Sequence, residues 1–198
     1  MTDALHALRC VGFAGLRRLA DVAGRPESEL EPELLDLAAA GLVTMEPGPF
    51  GGWGLTEAGR IEDARRTTAE LAAAQLPAGQ GGARVVVAGA YERFLELNPL
   101  LLDLCSAWQL RPVGSMPDDH RDRVLGRFVE LDRRVGDVCV ELASVLPRFG
   151  RYRVRLAVAL EQARSGMLEQ LTDSTSSYHA VWFQLHEDLL VTLGIARW

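Results

Sequence analysis

The chain contains no lysine, and all 21 of its Lys and Arg positions are arginine. Its 27 acidic residues give it a formal net charge of -6. It also lacks any run of about 18 apolar residues, which a membrane-spanning helix needs. Only three cysteines are present, and that odd number disfavours a disulfide framework. The first residues lack the basic and apolar segments of an export signal. We therefore expect a folded cytoplasmic protein that does not enter a membrane.

Familiar catalytic motifs are missing as well. The sequence has no Gly-x-Ser-x-Gly elbow, phosphate-binding loop, dinucleotide glycine pattern or His-Glu-x-x-His motif. A metal site built on His120, His179 and His186 is disfavoured, because residues 179 and 186 lie two helical turns apart. The sequence predicts a binding protein and not an enzyme, with no cofactor and no metal.

The N-terminal residues 1–60 have the pattern of a winged helix-turn-helix. Helical spacing covers residues 5–11, 15–23 and 27–40, and two short strands surround a Gly/Pro turn at 47–52. A further helix follows from Thr56, which is placed to cap it. Pro32 leaves a second start open for the third helix, at Glu31 or Pro32, with residues 28–31 as its lead-in.

The same segment resembles the MarR-type transcription regulators. The resemblance rests on Leu34-Leu35-x-Leu37-x-x-x-Gly41-Leu42-Val43, on the hairpin, and on Gly54-Leu55-Thr56-x-x-Gly59-Arg60. It implies that the third helix enters the major groove of DNA while the wing touches the backbone. The DNA-binding residues predicted on this basis are Arg17, Arg18, Arg25, Ser28 and Arg60.

Charge in this segment favours an alternative to DNA. Residues 1–76 hold 7 Arg and 12 acidic residues, and the start of the third helix is Glu27-Ser28-Glu29-Leu30-Glu31-Pro32-Glu33. Carboxylates there would repel phosphates. The alternative is an accessory protein that does not bind DNA, whose acidic winged helix docks a protein partner.

Beyond residue 60 the sequence predicts a second, all-helical domain. Residues 61–76 form a connecting helix and the Gly-rich residues 77–84 a linker. In residues 85–198 we predict five helices, at 85–97, 99–109, 119–145, 152–165 and 177–193, separated by Pro and Gly. The predicted fold is therefore mainly α: a winged helix-turn-helix with a two-stranded wing, followed by a helical bundle.

The second domain carries aromatic and polar residues beyond what packing requires. Residues 179, 182, 183 and 186 share one helical face. The domain resembles the helical module that follows a winged helix in actinobacterial regulator-like proteins, through Cys105-x-Ala107-Trp108-Gln109 and Ser177-Tyr178-His179-x-x-Trp182-Phe183-x-Leu185-His186. Two interpretations remain: these residues line a small-molecule pocket, or they pack in a core in which the histidines are hydrogen-bonded. The predicted ligand residues are Trp108, Gln109, His120, Tyr178, His179, Trp182 and His186.

Together these patterns predict a ligand-responsive regulator that binds double-stranded DNA as a homodimer. In the alternative, the helical domain binds the small molecule and the acidic face binds a protein. The resemblance to MarR-type regulators also raises a peroxide-sensing role for Cys10, but its context favours a small core residue.

Overall fold

The computed structural model describes residues 3–48, 50–76, 81–109 and 118–196. The protein is mainly helical, with a two-stranded antiparallel sheet, and this confirms the predicted class. Its contacts divide the chain into two compact units: unit 1 is Met1–Gln75 with His186–Trp198, and unit 2 is Leu76–Leu185. Among the helices in these described ranges, none combines the length and the apolar character needed to cross a bilayer.

Unit 1 contains three helices, a hairpin and a fourth helix. These elements are α1 (Ala4–Val11), α2 (Leu16–Ala23), α3 (Glu27–Ala39), β1 (Val43–Glu46), β2 (Gly52–Leu55) and α4 (Glu57–Ala73). The strands pair antiparallel with Val43 opposite Leu55 and Glu46 opposite Gly52. Leu8, Leu19, Leu30, Leu34 and Trp53 lie in the buried core that these elements enclose.

Local chemistry fixes where these elements begin and end. Asp3 caps α1 by accepting a hydrogen bond from the His6 amide (2.8 Å), and Thr56 caps α4 by accepting one from the Gly59 amide (3.0 Å). Gly24 and Gly41 follow α2 and α3 with φ of 67° and 72°, a conformation that glycine adopts without strain. These capping residues and glycines therefore set the ends of the helices in unit 1.

Pro32 does not delay the start of α3. The helix begins at Glu27 and continues through Pro32, so the later start considered from the sequence is wrong. Leu30, Leu34 and Leu37 are buried on its inner side. Their burial outweighs the one backbone hydrogen bond that a proline removes. Residues 28–31 are therefore part of the helix.

Unit 2 is built from long helices. They are α5 (Ala83–Gln109), α6 (Asp118–Val145), α7 (Gly150–Arg164) and the first half of α8 (Tyr178–Leu193), with 3-10 turns at Pro147–Phe149 and Leu168–Gln170. α5 and α7 both pack against α6. Phe94, Phe128 and Tyr178 are fully buried. This is an aromatic core.

The break predicted at Asn98-Pro99 is absent. α5 runs without interruption from Ala83 to Gln109, so the two predicted helices are one. Phe94, Leu97, Leu101 and Leu104 form a continuous buried line across Pro99. Packing along that line stabilises the helix more than the proline weakens it. The predicted break at residues 111–114 lies outside the described residues.

The chain passes from unit 1 to unit 2 after Gln75, within one residue of the predicted boundary at 76, and neither of the predicted boundaries at 60 and 84 separates the units. His186–Trp198 group with unit 1, whereas the sequence interpretation kept residues 85–198 together. Of the predicted linker 77–84, residues 77–80 lie outside the described ranges, and Ala83 and Arg84 already belong to α5. α4 ends at Ala73, three residues before the predicted end of the connecting helix.

Candidate functional site

The outer side of α3 is acidic and open to solvent. Glu27, Glu31, Leu35 and Asp36 are exposed along it, and we call these four residues the acidic face. Asp36 lies about 100° around the helix from Leu35. Glu27, Glu31 and Leu35 follow one another at intervals of four residues, so they share one side of the helix. Leu35 is 57% exposed, an unusual position for a large apolar side chain on a helix with a well-buried inner side. The face therefore combines three negative charges with an exposed apolar group.

Arg25, predicted to bind DNA, is instead held by acidic groups of α3. Its guanidinium donates to the Glu33 carboxylate and lies 3.8 Å from a carboxylate oxygen of Glu29. Glu33 also accepts a hydrogen bond from the Ala4 amide at 2.7 Å, at the start of α1. Arg25 and Glu33 thus connect α3 to its surroundings within unit 1. That arrangement leaves Arg25 little freedom to reach a phosphate.

The other predicted DNA residues are exposed but do not form one basic patch. Arg17 and Arg18 are solvent-exposed on α2 and make no ion pair or hydrogen bond with the part of the chain that the structure describes. Ser28 is exposed on α3. Arg60 lies on α4 beside Glu57, with 3.4 Å between guanidinium and carboxylate. Among the four predicted DNA-binding arginines, Arg17 and Arg18 are the two without an acidic partner in the described ranges.

The β1–β2 hairpin presents apolar groups in place of basic ones. Residues 43–55 contain no Arg, Lys or His. Phe50, at the turn, is 95% exposed, and Met45 on β1 is 53% exposed. A hairpin with this composition cannot form ion pairs with a nucleic-acid backbone.

Three of the predicted ligand residues lie in the aromatic core of unit 2. Trp108, Tyr178 and Trp182 are at most 2% exposed. The Trp182 ring lies 4.7 Å from the ring of Phe94, and its Nε1 donates to Asn98 Oδ1 at 3.0 Å. These contacts are those of a packed core, the second interpretation considered from the sequence.

Tyr178 belongs to a buried polar group in the same unit. Its hydroxyl donates to Asp132 Oδ1 (3.3 Å), and Arg153 Nη1 donates to both Asp132 oxygens (3.1 and 2.9 Å). Burial first, and the charge of Asp132 second, hold the pKa of Tyr178 well above 10. The phenol therefore stays protonated and serves as a hydrogen-bond donor.

The remaining predicted ligand residues are not brought together. Gln109 is exposed at the end of α5, and His120 and His179 are half-buried in unit 2. His186 is half-buried and belongs to unit 1. A cavity of about 240 Å³ between α5 and α6 is lined by other residues, including Arg93, Arg133, Arg134 and Asp137.

Unit 1 also holds a buried polar cluster that sequence reasoning did not single out. His6 lies between two carboxylates: Nδ1 is 3.0 Å from Asp63 Oδ1, and Nε2 is 2.9 Å from Asp188 Oδ1. Thr192 donates to the same Asp188 oxygen at 3.1 Å. The Cys10 sulfur lies within 4.8 Å of the His6 and Asp188 ligand atoms. We call these five residues the His6 cluster.

The electrostatics of the His6 cluster favour positive charge at its centre. Burial acts to lower the pKa of His6, but attraction to Cys10 and Asp188 and the hydrogen bonds to Asp188 and Asp63 raise it well above 6.5. Asp63 and Asp188 are 1% and 0% exposed, so water does not screen them. Asp63 Oδ2 is buried and has no hydrogen-bond partner within the described residues. In the His6 cluster two buried carboxylates therefore face one imidazole.

Two weak signals of this cluster are present in the sequence. His6 and Cys10 are four residues apart and therefore share a face of α1. Asp188 is a charged residue directly before the apolar residues Leu189, Leu190 and Val191 of α8. Neither signal identifies the partner, because 57 and 182 residues separate His6 from Asp63 and Asp188.

Comparison of the chain with family models, with curated proteins and with solved structures finds no match. The resemblances to MarR-type regulators and to the actinobacterial helical module therefore remain predictions. Function has to be argued from the surfaces and clusters described above.

Proposed function

We propose that unit 1 is a winged helix-turn-helix whose acidic face binds a basic segment of a protein partner. In this assignment α2 and α3 are the helix-turn-helix, and the β1–β2 hairpin is the wing. The observation that carries the proposal is the exposure of Glu27, Glu31 and Asp36 on the helix that would otherwise read DNA. This was the alternative considered from the sequence, and the surface chemistry favours it.

The charge of α3 favours a basic protein segment over DNA as its partner. Neutralisation of phosphates by Arg and Lys supplies most of the non-specific affinity for DNA. The acidic face offers carboxylates instead, the wing has no basic residue, and Arg25 is already paired with Glu33. A cationic protein segment fits such a surface, because opposite charges attract and steer the encounter.

Apolar contact would add to the charge attraction. Leu35 lies among the carboxylates, and Phe50 is exposed at the tip of the wing. Protein interfaces combine a few apolar anchors with a polar rim. The partner segment we propose is therefore rich in Arg or Lys and carries at least one apolar side chain.

Charge neutralisation tests this proposal. The triple variant Glu27→Gln, Glu31→Gln, Asp36→Asn removes three exposed charges from the acidic face. We expect it to bind a fluorescent oligoarginine peptide about tenfold more weakly than the unaltered protein, in anisotropy titrations at low and physiological salt. The effect should shrink as salt is added, since these charges are exposed.

A matched control removes three exposed charges elsewhere. Glu92→Gln, Asp103→Asn and Glu169→Gln change the net charge by the same amount, but all three residues lie in unit 2. The control should bind the peptide within about twofold of the unaltered protein. Equal weakening in both triple variants would mean that net charge alone attracts the peptide, and the proposal would fail.

A ligand-responsive transcription regulator is the second candidate, and Arg17 and Arg18 favour it. Both are exposed on α2, without an acidic partner in the described ranges, where they can grip phosphates. The same titration with a DNA duplex selected from genomic fragments discriminates the two. Binding to a selected duplex that weakens on Arg17→Ala or Arg18→Ala, with a smaller salt dependence, would favour the regulator.

A further inference from the structure

We infer that His6, Cys10 and Asp188 form a structural zinc site in unit 1. Imidazole nitrogen, thiolate sulfur and carboxylate oxygen are the three donor types that zinc binds in proteins. A mixed set of this kind excludes magnesium and calcium, which prefer oxygen donors alone. The site is independent of the acidic face.

The backbone brings these donors together from two elements. His6 and Cys10 are one turn apart on α1, so their side chains project from the same face. Asp188 comes from α8. The three ligand atoms lie within 4.8 Å of one another, and all three residues are buried. Four-coordinate zinc with bonds of about 2.0–2.3 Å needs donors only about 3.3–3.8 Å apart, so the required movement is small.

Two neighbouring residues hold the proposed ligands in place. Asp63 accepts from His6 Nδ1 (3.0 Å), which leaves Nε2 as the nitrogen directed at Asp188. A carboxylate on the far nitrogen is the usual outer partner of a zinc-bound histidine. Thr192 donates to Asp188 Oδ1 at 3.1 Å and limits the rotation of that carboxylate. Asp63 and Thr192 thus orient two of the proposed ligands, His6 and Asp188, by hydrogen bonds.

The charge around the site also fits a cation. Asp63 Oδ2 is buried without a hydrogen-bond partner in the described residues, although Asp63 is only 1% exposed. A divalent ion would displace the proton of His6 Nε2 and that of the Cys10 thiol, and both protons would pass to solvent. The fourth position is completed by the second oxygen of Asp188 or by one water molecule. Because every ligand is buried, the ion would stabilise the fold.

Cobalt substitution tests the inference on the full chain. After removal of metals with a chelator, the protein is titrated with Co²⁺. We expect one equivalent to bind and to produce a near-ultraviolet thiolate-to-cobalt absorption band, which one equivalent of Zn²⁺ then abolishes. Cys10→Ser should eliminate the band. Asp63→Asn, which weakens the support of His6, should lower cobalt affinity about 10- to 100-fold while keeping the band.

Two other buried cysteines supply matched controls. Burial raises the pKa of Cys105 to about 11 and that of Cys139 to about 12, so both remain thiols. Cys105→Ser and Cys139→Ser should keep the band. If Cys10→Ser does not fold, X-ray absorption of the zinc-loaded unaltered protein decides, with a sulfur ligand at about 2.3 Å expected. No cobalt uptake, a spectrum without sulfur, or a band that survives Cys10→Ser would overturn the inference.

Discussion

We expect His6→Leu to lower the free energy of unfolding of unit 1 by about 3–5 kcal/mol when measured in the presence of a chelator. The substitution leaves Asp63 and Asp188 buried without the imidazole that lies between them. A buried carboxylate that loses its charged partner is costly, whereas leucine itself fills a similar volume. Since domains are stable by only about 5–15 kcal/mol, this is a large fraction of the stability of unit 1. Urea denaturation followed by circular dichroism measures the loss.

Replacing Asp63 and Asp188 with neutral residues distinguishes an effect of charge on stability from an effect of packing. Adding Asp63→Asn and Asp188→Asn to His6→Leu replaces the two carboxylates that lost the imidazole with amides of nearly the same shape. Stability should then recover by about 1–3 kcal/mol. A loss below about 1 kcal/mol in the single variant, or no recovery in the triple variant, would show that the His6 cluster does not stabilise the fold by its charges. The chelator ensures that the loss does not report on a bound ion.

Gly59→Ala should destabilise unit 1 by about 3 kcal/mol, because a Cβ atom has no room there. Gly59 is buried in the first turn of α4, and an added Cβ would lie 2.0 Å from the Leu42 carbonyl oxygen. That oxygen also accepts hydrogen bonds from the Thr56 amide (3.1 Å) and hydroxyl (3.0 Å). The carbonyl cannot move away without breaking the capping contacts of α4, so the clash has to be relieved by shifting the backbone.

Gly15→Ala is the matched control for this substitution. Gly15 belongs to the same unit and has an ordinary φ of -69°, and an added Cβ meets only the Gly51 carbonyl oxygen at 3.9 Å. Gly15 is the N-cap of α2, where alanine is less favourable than glycine, so we expect a loss of at most about 1 kcal/mol. Thermal and urea unfolding compare the two variants. Similar stabilities for both would mean that α4 does not pack as closely on Leu42 as described.

The order of elements in unit 1 was predictable because each boundary has a local cause. Asp3, Thr56 and the glycines after α2 and α3 terminate or cap helices through contacts within a few residues. The predicted helix at 27–40 agrees with α3, but Pro32 also suggested a later start and Pro99 a break, and neither is present. The cost of each proline is local, whereas the packing that outweighs it involves other elements. Proline marks a helix boundary only where burial on both sides is weak.

Among the candidate functional features, too, those with a local cause could be predicted from the sequence and those that depend on tertiary packing could not. The acidic character of α3 could be predicted, since its carboxylates are visible in the sequence and helical spacing puts Glu27 and Glu31 on one side. The pairing of Arg25 with Glu33 and the His6 cluster could not, because they depend on how helices meet. In unit 2, Tyr178 and Trp182 share a helical face as expected, but whether such a face lines a pocket or a core is decided by its neighbours, here Phe94 and Asp132.

The most direct test of the central claim is selection of a random peptide library on the purified full chain, at physiological salt, in parallel with the Glu27→Gln, Glu31→Gln, Asp36→Asn variant. We predict enrichment of peptides that combine several Arg or Lys residues with an apolar residue, and loss of that enrichment in the variant. Enrichment without basic residues, or the same basic peptides from both proteins, would contradict a docking role for the acidic face.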